Sequence, residues 1–167
     1  MTLRITIGID PGATGAIAAL ADGAYYDVLD MPVVAGREEN GRGHVDGGVL
    51  SAWLREVSRK HPGAAFDAVI EQVGARPGQG VTSMFRFGEA YGAVRGALGA
   101  LGIPFRVVPP NLWKPRMGLV GPKKDAAREM AAKEFPGAAT KLQRKKDHGR
   151  AESLLIAKWA HEFEVAA

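Results

Sequence analysis

The sequence contains no cysteine. Disulfide scaffolds, thiolate metal sites and cysteine nucleophiles are therefore excluded, and with nothing calling for an oxidising compartment the expected setting is cytoplasmic. No apolar run approaches the length of a bilayer span, so no membrane partner is expected. Internal repeats and low-complexity tracts are also missing. The opening residues read as a strand carrying one basic residue, without the apolar stretch and small-residue cleavage site of a leader, so the mature chain is expected to start at Met1.

What remains is ordinary in bulk and uneven in charge. The 167 residues are 46% hydrophobic and 24% charged, which suits a single soluble domain over residues 1–167. The net charge of +4 hides an asymmetry: from Arg106 to Arg150 twelve Lys/Arg accompany four Asp/Glu, giving that segment +8 and the rest −4. A block such as Lys141, Arg144, Lys145, Lys146 and Arg150 is suited to neutralising phosphates. Its bland alternative is a solvated face.

Turn residues divide residues 2–31 into three short strands, 3–9, 16–20 and 25–31, with Asp22-Gly23 as the hairpin signal. An antiparallel meander is expected. Residues 33–48 read as a glycine-rich surface loop. Val49, Leu50, Trp53, Leu54 and Val57 recur at helical spacing behind a candidate N-cap, Asp46, and His61-Pro62-Gly63 ends the run. Ala65–Glu71 is a buried strand, followed by a polar loop over 74–80 and a small-residue helix over 83–101. Phe105–Val108 is a strand stopped by Pro109-Pro110, and helices are expected over 123–135 and 147–163. The pattern is a mixed α/β domain whose sheet is partly antiparallel and partly parallel.

Asp10 closes the first strand beside a glycine turn, and Glu71 closes the Ala65–Glu71 strand. Parallel neighbours would bring these carboxylates together. Later in the chain, His148 and Glu152 are four apart and share a helical face, while Asp147 stands at the expected N-cap. Each acid alone has a structural alternative: turn capping for Asp10, an arginine pair for Glu71, a helix cap for Asp147. Converging together they would repel, and a divalent cation relieves that repulsion. Oxygen ligands without thiolates favour Mg²⁺ or Mn²⁺, and a pair of such ions suits in-line phosphodiester cleavage. Beside a +8 segment, this points to a nuclease.

Gly8-Ile9-Asp10-Pro11-Gly12, Ile70-Glu71-Gln72-Val73 and Asp147-His148-Gly149-Arg150-Ala151-Glu152, in that order, resemble the motifs of the RuvC-type Holliday junction resolvases. The last motif and Pro110-Asn111-Leu112-Trp113-Lys114 are similar to the phage and prophage branch, found in a bacterial or phage-infected cell. The resemblance implies an RNase H-like fold with a five-stranded sheet flanked by helices. It also implies a homodimer and Mg²⁺-dependent paired incisions across a four-way DNA junction. By motif, Asp10, Glu71 and Glu152 match metal ligands. Gly149 stands where the family has its fourth ligand, which leaves Asp147, the preferred candidate, or His148, as ligand or acid/base group. Lys114 and Lys124 fall near family lysines that contact the scissile DNA, with Lys124 assigned to the catalytic set. Lys123 and Arg76 join Lys141, Arg144, Lys145, Lys146 and Arg150 as candidate DNA contacts. Where the family carries an aromatic wedge, this chain has Gly74.

Two further readings compete. The Asp10-to-Gly15 loop is similar to a phosphate loop of the sugar-kinase and actin group, although that group needs two domains for its cleft. A non-catalytic architectural DNA-binding dimer would keep the basic surface, but would have no use for the acids.

Overall fold

The structure, a computed structural model, describes residues 2–34, 43–74, 78–121 and 125–163. The first three strands form where the meander is expected: β1 (Arg4–Asp10), β2 (Ala16–Ala21) and β3 (Ala24–Asp30). Asp22 and Gly23 turn the second hairpin with φ of +45° and +80°, the mirror-image turn that matches the twist of paired strands. A two-stranded ribbon, β4 (Val33–Val34) and β5 (His44–Val45), lies within the stretch read as loop. Helix α1 (Gly47–Lys60) starts at Asp46, whose Oδ1 accepts from the N–H groups of Gly48 and Val49.

Strand β6 (Ala65–Glu71), helix α2 (Val81–Ala100) and strand β7 (Phe105–Val108) complete the central sheet. Its order is β3-β2-β1-β6-β7, with β1 antiparallel to β2 and parallel to β6. The expected mixed five-stranded sheet is therefore present. A helix the sequence reading missed, α3 (Pro110–Arg116), follows β7 directly. The Pro109-Pro110 pair that stops the strand also starts this helix, because proline at the first helical position sacrifices no hydrogen bond. Helices α4 (Ala126–Glu134) and α5 (His148–Phe163) finish the fold. Among the described residues, no helix is long and apolar enough to cross a membrane.

The period-two alternation of β1 decides which elements cover which face. Ile5, Ile7 and Ile9 pack with Leu50 and Leu54 of α1 and with Val94 and Leu98 of α2. Thr6, Gly8 and Asp10 alternate with them and face α5, whose Leu154, Leu155 and Trp159 belong to the opposite core with Ala16, Ala18, Leu20 and Val69. Gly8 sets the depth of α5: a methyl group there would overlap the backbone of Ser153 and Ala157. Helix and strand thus meet backbone to backbone, and the first turns of α5 are drawn to the end of β1, where Asp10 stands.

Candidate active site

Three acids from three distant segments meet at this end of the sheet. Asp10 ends β1 and Glu71 ends β6; because the strands run parallel with Ile9 opposite Ile70, both carboxylates emerge at the same edge. Glu152 arrives from above on α5, four residues after the helix begins. A cavity of about 410 Å³ opens beside Asp10 and Glu71, lined also by Gln72, Val73, Gly74, Gln79, Phe87 and Pro110.

The electrostatics show how closely these groups interact. Burial, with the negative charges of Glu152 and Glu71 added, pushes the Asp10 carboxyl up to about 6, although the Gly12 N–H and His148 act in the opposite direction. Burial likewise raises Glu71, with Glu152 adding to the effect and Lys114 and Trp113 opposing it. These are carboxylates held together against their own repulsion.

The cation among them is Lys114. Its Nζ lies 2.9 Å from Glu152 Oε1 and 3.6 Å from Glu71 Oε1. Burial opposes its charge, yet the hydrogen bond to Glu152 and the two carboxylate charges keep its pKa above the usual lysine value. Beside it, the fully buried Trp113 donates its indole N–H to Glu71 Oε1 at 3.0 Å. Both residues come from α3, so a helix absent from the sequence reading supplies the two groups that hold Glu71. The signal for it lay in the Pro110-to-Lys114 motif.

Among the described residues, no three His, Asp or Glu side chains are already arranged about one ion position. The donor set nevertheless fits a hard divalent cation: oxygen ligands, partly buried, with negative charge that the Lys114 ammonium offsets in part.

Asp147 and His148 part company. Asp147 is 2% exposed, and its carboxylate turns back to accept from Arg144 at N (2.8 Å), Nε (3.0 Å) and Nη2 (2.7 Å), with Arg150 Nη1 at 3.8 Å. Arg144 holds its pKa below the usual carboxylate value. The expectation that Asp147 caps α5 is thus corrected, because it closes a single 3₁₀ turn (Lys145–Asp147) onto Arg144 instead. Nor does the structure bring it to the acidic group: its oxygens are occupied by guanidinium. His148, the alternative, lies near enough for its charge to lower the Asp10 pKa slightly, against the larger effect of burial.

Gly149, at the position the resemblance gives to a fourth ligand, has no room for a side chain. A Cβ there would stand 2.6 Å from Thr14 O and 2.8 Å from Gly15 Cα. The start of α5 is pressed onto the glycine turn after Asp10, and no side chain fits between them.

The basic residues also separate. Lys141 pairs with Asp27 at 2.9 Å, Arg144 with Asp147, and Arg150 with Asp30. Three of the expected phosphate contacts are therefore tied into the fold. Lys145 and Lys146 are exposed and make no ion pair among the described residues. Arg76, Lys123 and Lys124 lie outside the described residues.

The chain matches no protein-family model. Over 150 residues it is 35% identical to the chloroplastic Holliday junction resolvase MOC1 of Chlamydomonas reinhardtii; the match covers 80% of this chain and 17% of the algal protein. The chain thus spans about a sixth of that relative's length. Among solved structures, it is similar to Thermus thermophilus RuvC in complex with a Holliday junction substrate, with a TM-score of 0.59 and 18% identity over 93% of this chain and 91% of that one. It is also similar to the yeast mitochondrial Holliday junction resolvase Ydc2, with a TM-score of 0.52 and 15% identity over 96% and 78% of the two chains. The chain therefore has the RuvC, RNase H-like fold.

Proposed function

We propose that the chain is a structure-selective endonuclease that resolves four-way DNA junctions, or related branched DNA, by metal-dependent phosphodiester hydrolysis with paired incisions. The observation that carries this reading is the meeting of Asp10, Glu71 and Glu152 at one sheet edge, next to a cavity and on the RuvC fold. The identity with an algal protein named as a junction resolvase supports the choice of substrate.

In this reading Asp10, Glu71 and Glu152 hold Mg²⁺, two ions per site, with Mn²⁺ as a substitute. His148 takes the remaining ligand or acid/base role in place of Asp147. Bound there, the cations supply Lewis-acid polarisation of the phosphate and a water of lowered pKa. The protein's own part is positioning. Trp113 keeps the Glu71 carboxylate in one orientation through its N–H, and the close packing of α5 on Gly8 holds the helix that carries Glu152 against the strand that ends in Asp10. Lys114 carries positive charge to the scissile phosphate, and Lys145 and Lys146 contact the flanking backbone.

Paired incisions call for a homodimer. Helix α2 leaves Val81 and Phe85 78% and 75% exposed, and Gly88, Gly92 and Gly96 have nothing within 4 Å of a Cβ position. An apolar face of this kind suits a second copy of the chain.

The test is cleavage of labelled synthetic junctions in Mg²⁺ by the native chain and by Glu71→Gln. Native cleavage of the four-way junction over linear duplex, lost in Glu71→Gln with junction binding kept, supports the assignment. Equal cleavage by both removes it.

A further inference from the structure

We propose that Lys114 is a built-in counter-ion of the acidic site, which a divalent cation must displace from Glu71 and Glu152 as it binds. This rests on the metal-dependent reading above, and adds to it an exchange carried by α3. The two carboxylates come from the end of β6 and from α5, and one ammonium spans them, 2.9 Å from Glu152 Oε1 and 3.6 Å from Glu71 Oε1. Magnesium takes its oxygens at about 2.0–2.1 Å. An ion ligated by both acids and an ammonium bonded to the same oxygens would bring two positive centres into repulsive contact. One must leave.

The surroundings let the lysine leave without disturbing the ligands. Glu71 Oε1 keeps its bond from Trp113 Nε1 at 3.0 Å, a bond anchored by a fully buried ring. Lys114 itself is 31% exposed, and its ammonium lies 5.2 Å from the Trp113 ring centroid. A flexible four-carbon stem can therefore swing toward solvent while α3 stays in place. The same lysine then serves two states: without metal it neutralises Glu71 and Glu152, and with metal it is released at the rim of the site, where a phosphate would lie.

Thermal melts with and without MnCl₂ read both halves of this exchange. Lys114→Met keeps the stem and removes the charge. It is expected to melt below the native chain in chelator, and to reach its half-maximal Mn²⁺-induced rise at about three- to tenfold lower Mn²⁺. Lys114→Arg, which keeps the charge, is expected to restore the native Mn²⁺ midpoint. Lys158→Met removes a lysine paired with Glu134 and Glu162 instead, and is expected to leave that midpoint unchanged. A Lys114→Met midpoint equal to or above the native one overturns the proposal, as does an equal fall in Lys158→Met. A native chain whose melting does not respond to Mn²⁺ or Mg²⁺ at all would instead remove the metal reading itself, and the exchange with it.

Discussion

The indole N–H of Trp113 donates to Glu71 Oε1 at 3.0 Å, joining a buried ring on α3 to a carboxylate at the end of β6, 42 residues earlier in the chain. A donor to the ionised form lowers a carboxyl pKa, so Trp113 works against the burial that raises Glu71. Trp113→Phe keeps most of the packing and loses the donor. It is expected to cost roughly 1 kcal/mol of stability and to move the acidic limb of the cleavage pH profile upward. Chemical denaturation and rate–pH curves check the two effects.

Asp10 gives a pH signature with a definite sign. Its folded-state carboxyl is raised from 3.8 to about 6, so the fold holds this proton more tightly than the unfolded chain does. The stabilisation is complete below the unfolded value and is lost as pH rises through about 6. Asp10→Asn removes that loss. It is expected to be more stable than the native chain at pH 7, by on the order of 2 kcal/mol, with the difference shrinking toward pH 4. Cation binding must displace the same proton, so Mn²⁺ affinity is expected to climb across that window. Melts over a pH series with and without Mn²⁺ measure both.

The basic residues are expected to divide by what they touch. Lys145→Ala with Lys146→Ala should weaken junction binding and flatten its log–log salt dependence by about 2, one phosphate contact per lysine. Lys141 is held by Asp27. Lys141→Ala is therefore expected to leave the salt slope alone and to cost under about 1 kcal/mol of stability. Fluorescence anisotropy across a salt series separates them.

Gly8→Ala tests the seat of α5. The added methyl would overlap the backbone of Ser153 and Ala157, and a forced separation of strand and helix is expected to cost roughly 3 kcal/mol or more. Glu152 would move with the helix, so cleavage is expected to fall even at temperatures where the variant stays folded. Activity per folded molecule, with folding followed by circular dichroism, checks this.

The fold is legible in the sequence where local pattern and tertiary context agree. Ala68, Val69 and Ile70 are buried and apolar up to the terminal acid Glu71, and Asp22-Gly23 satisfies the turn it makes. Both the strand ends and the meeting of Asp10 with Glu71 followed from that. Glu152 was legible because His148 and Glu152 share a helical face. The misses are places where long-range contacts decide. Pro109-Pro110 is equally a strand stop and a helix start, and only the burial of Trp113 selects the helix. Asp147 has good N-cap chemistry, but Arg144 offers its carboxylate a guanidinium and a backbone N–H at once. Lys114 reads as a phosphate contact from its motif; that it lies between Glu71 and Glu152 depends on how α3 packs beside α5.

The most direct measurement is cleavage of a four-way junction by the native chain and by Asp10→Asn in Mg²⁺, with binding of the same junction measured in chelator. The account predicts symmetric nicks by the native chain, and for Asp10→Asn unchanged binding with cleavage reduced at least about a hundredfold. Native-rate cutting by Asp10→Asn would contradict it, as would a native chain that binds the junction yet leaves it intact in both Mg²⁺ and Mn²⁺.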